Sequence, residues 1–200
     1  MTEHYRALAA LTGLAIGDAL GMPTQLMSRQ QVAARYGAIT TFLPAADDHP
    51  LAAGMPAASI TDDTEQALLT ARLIIEGHGH VEPAIFAREL VAWEDGMRAK
   101  GSLDLLGPST KRAVDAVLAG ESLEEAGRYG ATNGAAMRVT PVGLARSNRD
   151  LPALVDLVVE VSLVSHNTGI ALAGAAAVAA AVSAGIDGVD PIPVAIEAAE

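Results

Sequence analysis

The sequence has no cysteine, which excludes disulfides and zinc–thiolate sites and fits a reducing, cytoplasmic location. Only 3% of its 200 residues are aromatic although 50% are hydrophobic, so alanine and glycine supply much of the apolar content. Small side chains let helix axes approach closely, and alanine is the best helix former. The composition therefore argues for packed helices rather than a sandwich of bulky strands. Basic residues are also scarce: 13 Lys and Arg stand against 24 Asp and Glu, a net charge of −11. Such a surface repels phosphate backbones, which argues against a nucleic-acid partner but leaves room for a small phosphorylated ligand held by local donors or metal ions. The N-terminal residues lack the basic start and clean apolar run of a secretory signal. One apolar stretch, 169–186, is long enough to raise the question of a membrane span. Because it is mostly alanine and glycine, the expectation is a central helix buried on all sides of a soluble bundle, with no membrane partner.

What is present is helical periodicity almost throughout, with no alternating strand and no repeat. A helix is expected over 3–19, where Gly13, Gly17 and Gly21 form a row that predicts close backbone approach. A second begins at Ser28 with a Ser-x-x-Gln capping box and stops at Gly37. Residues 38–60 read as an ordered irregular loop. The third, 61–76, carries an expected apolar stripe of Leu68, Ala71, Ile74 and Ile75. Others are expected over 83–100 and 108–119, after Ser122-x-x-Glu125, through Arg146 with a kink or break at Pro141, over 151–165 and 169–186, and after Pro193. The fold class is all-α, one multi-helix domain over 1–200. The last helix runs to Glu200 without a C-cap, which fits a chain that stops before its fold does and, equally, an ordinary frayed end.

Four stretches have the residue types for chemistry. Thr61-Asp62-Asp63-Thr64 groups two carboxylates and two hydroxyls at a helix start; judged alone, N-capping and the helix dipole explain it, whereas its functional reading is an oxygen site for Mg²⁺. Asp18, in an apolar helix, caps a neighbouring helix, lies near a helix end in water, or shares a cleft wall with Gln25. Asn133-Gly134, followed by Met137 and Arg138, is either a turn with an N-cap or a seat for phosphate or a ribose hydroxyl. Ser165-His166-Asn167-Thr168 opens a helix; His166 is an ordinary histidine in the commoner reading and a ligand-orienting one in the other. His78 and His80, in a Gly-rich connector, read as solvated.

In this order, the stretches Gly17-Asp-Ala-Leu-Gly-x-Pro, Thr61-Asp-Asp-Thr, Asn133-Gly-Ala-x-Met-Arg-x-x-Pro and Ser165-His-Asn before an alanine-rich helix resemble the ADP-ribosylglycohydrolase family. The resemblance spans about residues 11–186. It implies a compact orthogonal all-α bundle with two Mg²⁺ ions in a cleft, hydrolysing the bond between ADP-ribose, or a related ribosyl group, and a modified protein or small molecule. On this basis Thr61, Asp62 and Asp63 hold one Mg²⁺, and Asp62 and Asp63 are the candidate catalytic carboxylates. Asn133, Gly134, Met137, Arg138 and His166 surround the ribose and its phosphate, with Asp18 and Gln25 on the cleft wall.

The sequence departs from the family pattern twice. Gln25 stands where the family usually has glutamate, which removes a charge and a proton acceptor. The C-terminal Gly-x-Asp-x-Asp-Thr element, which supplies a metal-bridging aspartate, is absent, and Asp187 and Asp190 lie in the wrong context to replace it. The resemblance thus implies a truncated chain. It also admits an alternative, a non-catalytic ADP-ribose-binding or structural protein, since the family includes a lens crystallin.

Overall fold

The structure, a computed structural model, describes residues 2–102 and 105–200. Among these the chain forms ten α-helices and no strand: α1 (Glu3–Gly21), α2 (Arg29–Arg35), α3 (Asp62–Glu76), α4 (Pro83–Ala99), α5 (Pro108–Leu118), α6 (Leu123–Gly127), α7 (Thr140–Ala145), α8 (Leu151–His166), α9 (Gly169–Asp187) and α10 (Pro191–Ala199). Short 3₁₀ turns occupy Met22–Thr24 and Ala136–Arg138. Side-chain caps explain several of the starts. Ser28 and Gln31 form the expected capping box, and Ser122, Asp150, Thr168 and Asp190 each accept a first-turn backbone N–H.

The core is built around α8. Its Leu154, Leu157, Val158, Val161 and Val164 are buried in one cluster with Phe86 and Leu90 of α4, Val114 of α5, Leu73 and Ile74 of α3, Val142 of α7 and the alanines of α9. Burying a Leu or Val side chain contributes about 1.5–3 kcal/mol, so this cluster is the main source of stability. A smaller cluster of Met22, Ala45 and Ala52 seats the irregular 38–60 segment against the end of α1.

Five local expectations change. Pro141 neither kinks nor breaks a helix: the chain passes through the 3₁₀ turn and restarts at α7 with Pro141 in the first turn, where its missing N–H costs nothing. The Gly13–Gly17–Gly21 row faces open space, with no atom within 4 Å of a Cβ built at any of the three. On α3, Leu68 and Ile75 are exposed, because the helix instead turns the row Gln66, Thr70, Leu73 and Ile74 inward. The polar Gln66 and Thr70 on that row meet polar partners inside, so apolarity alone misplaces the buried face. Helix α9 is buried on one side only: Ala171, Ala175, Ala176, Ala179, Ala180 and Ala184 pack inward while Ile170 is 74% exposed. Helix α10 starts at Pro191, one turn's cap earlier than expected, because Asp190 accepts from Ile192 N–H.

Two helical stretches, Glu3–Thr24 and Gly169–Asp187, are long and apolar enough to cross a membrane by length and composition alone. The second packs its alanine face against α7, α8 and α10.

Candidate active site

Asp18, near the end of α1, meets the start of α3. Its carboxylate accepts from Thr61 N–H at 2.8 Å, Thr61 Oγ1 at 2.6 Å, Thr64 N–H at 3.2 Å and Thr64 Oγ1 at 2.5 Å. Thr61 is the N-cap residue of α3 but makes no cap bond with its own side chain. Asp18 satisfies the orphan N–H groups from another helix, and its charge sits at the positive end of the helix dipole. The Thr-Asp-Asp-Thr hydroxyls are thus explained as donors that hold Asp18 in place.

Asp63 faces the same junction, with Thr61 Oγ1 at 3.2 Å. Burial, and then the nearby Asp18 carboxylate, raise the Asp63 carboxyl above its ordinary range, with the Thr61 hydroxyl opposing. No Lys or Arg among the described residues forms an ion pair with either carboxylate. Two facing carboxylates in this setting favour a cation.

Asp18 and Asp63 line a cleft of about 290 Å³ with Leu14, Gly17, Gly21, Met22 and Gln25. Gln25 is held through its backbone: His49, buried within the 38–60 segment, accepts from Leu51 and Ala52 N–H through Nδ1, at 3.2 and 2.8 Å. Its Nε2 therefore carries the proton and donates to the Gln25 carbonyl at 3.2 Å. The next residue, Leu26, turns sharply with φ 62°, the left-handed region that a branched side chain enters at a cost.

Behind this junction runs a buried polar seam. Gln66 lies one turn along α3 from Asp62 and donates to it at 3.4 Å. Arg138 donates to Gln66 Oε1 at 3.4 Å and to Ser165 Oγ at 2.5 Å, and stacks over the Phe86 ring with its Cζ 4.8 Å from the centroid. His166 Nδ1 lies 2.8 Å from Ser165 Oγ, and its Nε2 lies 2.8 Å from Thr132 Oγ1. Gln66, Arg138, Ser165 and His166 are all fully buried. Burial pushes Arg138 down to about 9, with Asp62 pulling the other way, so it stays cationic at neutral pH. Burial, and then Arg138, push His166 down to about 4, so its ring is neutral at pH 7.

The 130–134 segment closes over the seam by backbone proximity. A Cβ built on Gly134 would lie 2.6 Å from His166 Cε1, and one on Gly130 would lie 1.9 Å from the Ser165 carbonyl oxygen, so only glycine fits at either position. Asn133 is exposed, and its carbonyl accepts from Met137 N–H at 3.0 Å; Met137 is half-buried.

The structure therefore brings Asp18, Gln25 and Asp63 to one cleft, with Thr61 buried behind them and bonded to Asp18. It joins Asp62, through Gln66, to Arg138, Ser165 and His166, and sets Gly134 on the His166 ring. Arg138 and His166 lie beneath the surface rather than on an open wall. His80 is exposed and pairs with Glu160 at 3.0 Å, away from the seam. Three contributors escape the sequence reading, Gln66, Thr132 and His49, while Ser165 lies in a stretch singled out there but is given no role of its own. Gln66 alone leaves a signal there, as a polar residue one turn after Asp62.

The donors at the junction are oxygens, suited in kind to a hard cation such as Mg²⁺. No group of three or more His, Cys, Asp or Glu arranged for one ion occurs among the described residues.

The profile of the ADP-ribosylglycohydrolase family matches residues 1–200. An uncharacterized protein of Escherichia coli K12, YegU, is 39% identical over 183 residues, 92% of this chain and 54% of that protein. The ADP-ribosyl-[dinitrogen reductase] glycohydrolase of Rhodospirillum rubrum is 32% identical over 143 residues, 71% of this chain and 45% of that protein. Among solved structures, an ADP-ribosylglycohydrolase-related protein complex is similar with TM-score 0.65 and 25% identity, over 90% of this chain and 56% of that one. The chain spans about half the length of the curated relatives it matches.

Proposed function

The chain belongs to the ADP-ribosylglycohydrolase family, and from that premise we propose that it carries the acidic half of a Mg²⁺-dependent glycohydrolase site that releases ADP-ribose, or a related ribosyl group, from a modified protein or small molecule. The observation that supports this reading is the facing pair Asp18 and Asp63 at the mouth of a cleft, with Asp63 held above its ordinary range by burial and by Asp18. An open pair of like charges costs stability unless a cation relieves it.

In this reading Thr61, Asp62 and Asp63 hold the Mg²⁺. When bound, the ion supplies Lewis-acid polarisation and a template for the ribose hydroxyls. Asp18 fixes the start of α3, so the Asp62 and Asp63 carboxylates keep their direction. Asn133, exposed beside the buried Gly134, offers a donor and an acceptor for ribose or phosphate. Met137 flanks them, and Arg138 and His166 act from below.

The test is release of ADP-ribose in Mg²⁺ from an ADP-ribosylated protein and from a ribosyl nucleoside, comparing the parent chain with Asp62→Asn. The reading expects Asp62→Asn to lose turnover while keeping its helical spectrum. Equal turnover of the two proteins would refute it.

Gln25 favours one second reading. A neutral amide in the cleft lacks the carboxylate's charge, which suits a module that binds ADP-ribose without cleaving it. Calorimetry separates the two: tight ADP-ribose binding without turnover supports the module, and any turnover refutes it.

A further inference from the structure

The seam beneath the cleft has a direction that its donors and acceptors determine. Arg138 has only donors, so Ser165 Oγ must accept its 2.5 Å bond. The Ser165 hydroxyl carries one proton, and its other partner is His166 Nδ1 at 2.8 Å. Ser165 is fully buried, so a hydroxyl proton without an acceptor there would carry the desolvation penalty of an unmade bond. The proton therefore goes to Nδ1. A neutral imidazole that accepts at Nδ1 carries its hydrogen on Nε2, and Nε2 lies 2.8 Å from Thr132 Oγ1. Thr132 accepts there, which leaves its own hydroxyl proton to point elsewhere. Thr132 is exposed on the segment that also presents Asn133, so a ligand at that surface is in a position to accept the proton.

We infer that Arg138, Ser165 and His166 form a one-way relay of hydrogen bonds that fixes the histidine tautomer and makes the Thr132 hydroxyl a donor to an oxygen acceptor of the bound ligand. Ser165 is a positioning residue: it acts on the ligand only through the ring. Gly134 leaves room for the relay, because a side chain there would lie 2.6 Å from His166 Cε1 and displace the ring. The buried cation at one end and the exposed hydroxyl at the other give the chain its polarity. A phosphate or ribosyl oxygen is the acceptor class it suits; that part rests on the reading of the cleft given above.

Nitrogen-15 spectra of the histidine side chains of the 200-residue chain at neutral pH test the inference without any ligand. The expected result is a neutral His166 with hydrogen on Nε2 and an unprotonated Nδ1. In Ser165→Ala, with the helical spectrum retained, the ring should show a mixed or reversed tautomer. A wild-type ring protonated on Nδ1 overturns the relay whether or not Ser165→Ala folds, and so does a folded Ser165→Ala with an unchanged tautomer. The ligand end is read separately with ADP-ribose by calorimetry. Thr132→Ser should keep the parent affinity, and Thr132→Val should lose about tenfold, the value of roughly one hydrogen bond. Equal affinities for Thr132→Val and the parent remove Thr132 as a donor. If ADP-ribose fails to bind the parent at all, the reading of the cleft fails while the tautomer result still decides the relay.

Discussion

The two polar regions of the molecule are built on opposite terms. The junction of α1 and α3 is half-open and all acidic, with two carboxylates facing each other and hydroxyls donating to one of them. The seam behind it is closed and neutral-to-cationic: both terminal nitrogens of Arg138, Ser165 Oγ and both ring nitrogens of His166 have partners, while Arg138 Nε has no hydrogen-bond partner among the described residues. The difference separates work on a ligand from work on the fold. An unbalanced charge near a cleft is tolerated where something arrives to balance it, whereas a buried cation depends on the partners the fold itself brings to it.

If that contrast is right, breaking the seam costs far more than altering the junction. Arg138→Met should have the largest effect. It leaves Gln66 and Ser165 without their donor and Asp62 without its cation, and breaking a buried charged network of this kind costs about 3–5 kcal/mol. For a domain this size that lowers the melting temperature by roughly 10 °C, readable by calorimetry.

The seam should also be sensitive to acid. His166 sits at about 4 in the fold against 6.5 ordinarily, so between these values the unfolded chain binds a proton that the native chain refuses. Its contribution is complete above pH 6.5 and is lost as pH falls toward 4, by about 3 kcal/mol in all. Urea melts across this window should show His166→Asn losing correspondingly less stability than the parent. A matching pH dependence in both would place the titration elsewhere.

Next in size is Gly134→Ala. Its methyl group meets a buried ring that has no room to retreat, so urea melts should show a loss of about 1–3 kcal/mol.

The smallest effect belongs to the junction. Asp63→Asn removes a repulsion rather than a support, so without metal it should stabilise the chain by on the order of 1 kcal/mol or less once solvent screening is counted. A clear destabilisation would move Asp63 to the structural side of the comparison.

The sequence made these regions legible to different degrees. Helix starts were readable at Ser28 and Ser122, where Ser-x-x-Gln and Ser-x-x-Glu place the capping chemistry within four residues, but not at Asp190, whose cap is equally local. The start of α3 is different: its cap is Asp18, 43 residues away from Thr61, a pairing that only the fold makes. The inward face of α3 was hidden for a related reason. Gln66 and Thr70 look solvent-facing by polarity, but Gln66 is met inside by Arg138 from a distant turn and Thr70 donates to the Gln66 carbonyl of its own helix. Motif order singled out Asp18, Asp62, Asp63, Asn133 and His166, but motifs carry no depth, so the burial of Arg138 and His166 could not be read from them. Ser165 and Thr132 act through geometry alone. The glycine row of α1 shows the converse limit, since spacing marks a face without saying what lies opposite it.

The central claim is that the acidic junction is the part of the molecule that awaits a cation. Thermal melts of the parent and Asp63→Asn, with and without Mg²⁺, test it most directly, because an ion that binds only the native state raises its melting temperature. The account predicts a Mg²⁺-dependent rise for the parent and none for Asp63→Asn. No rise in the parent, or the same rise in both proteins, would contradict it.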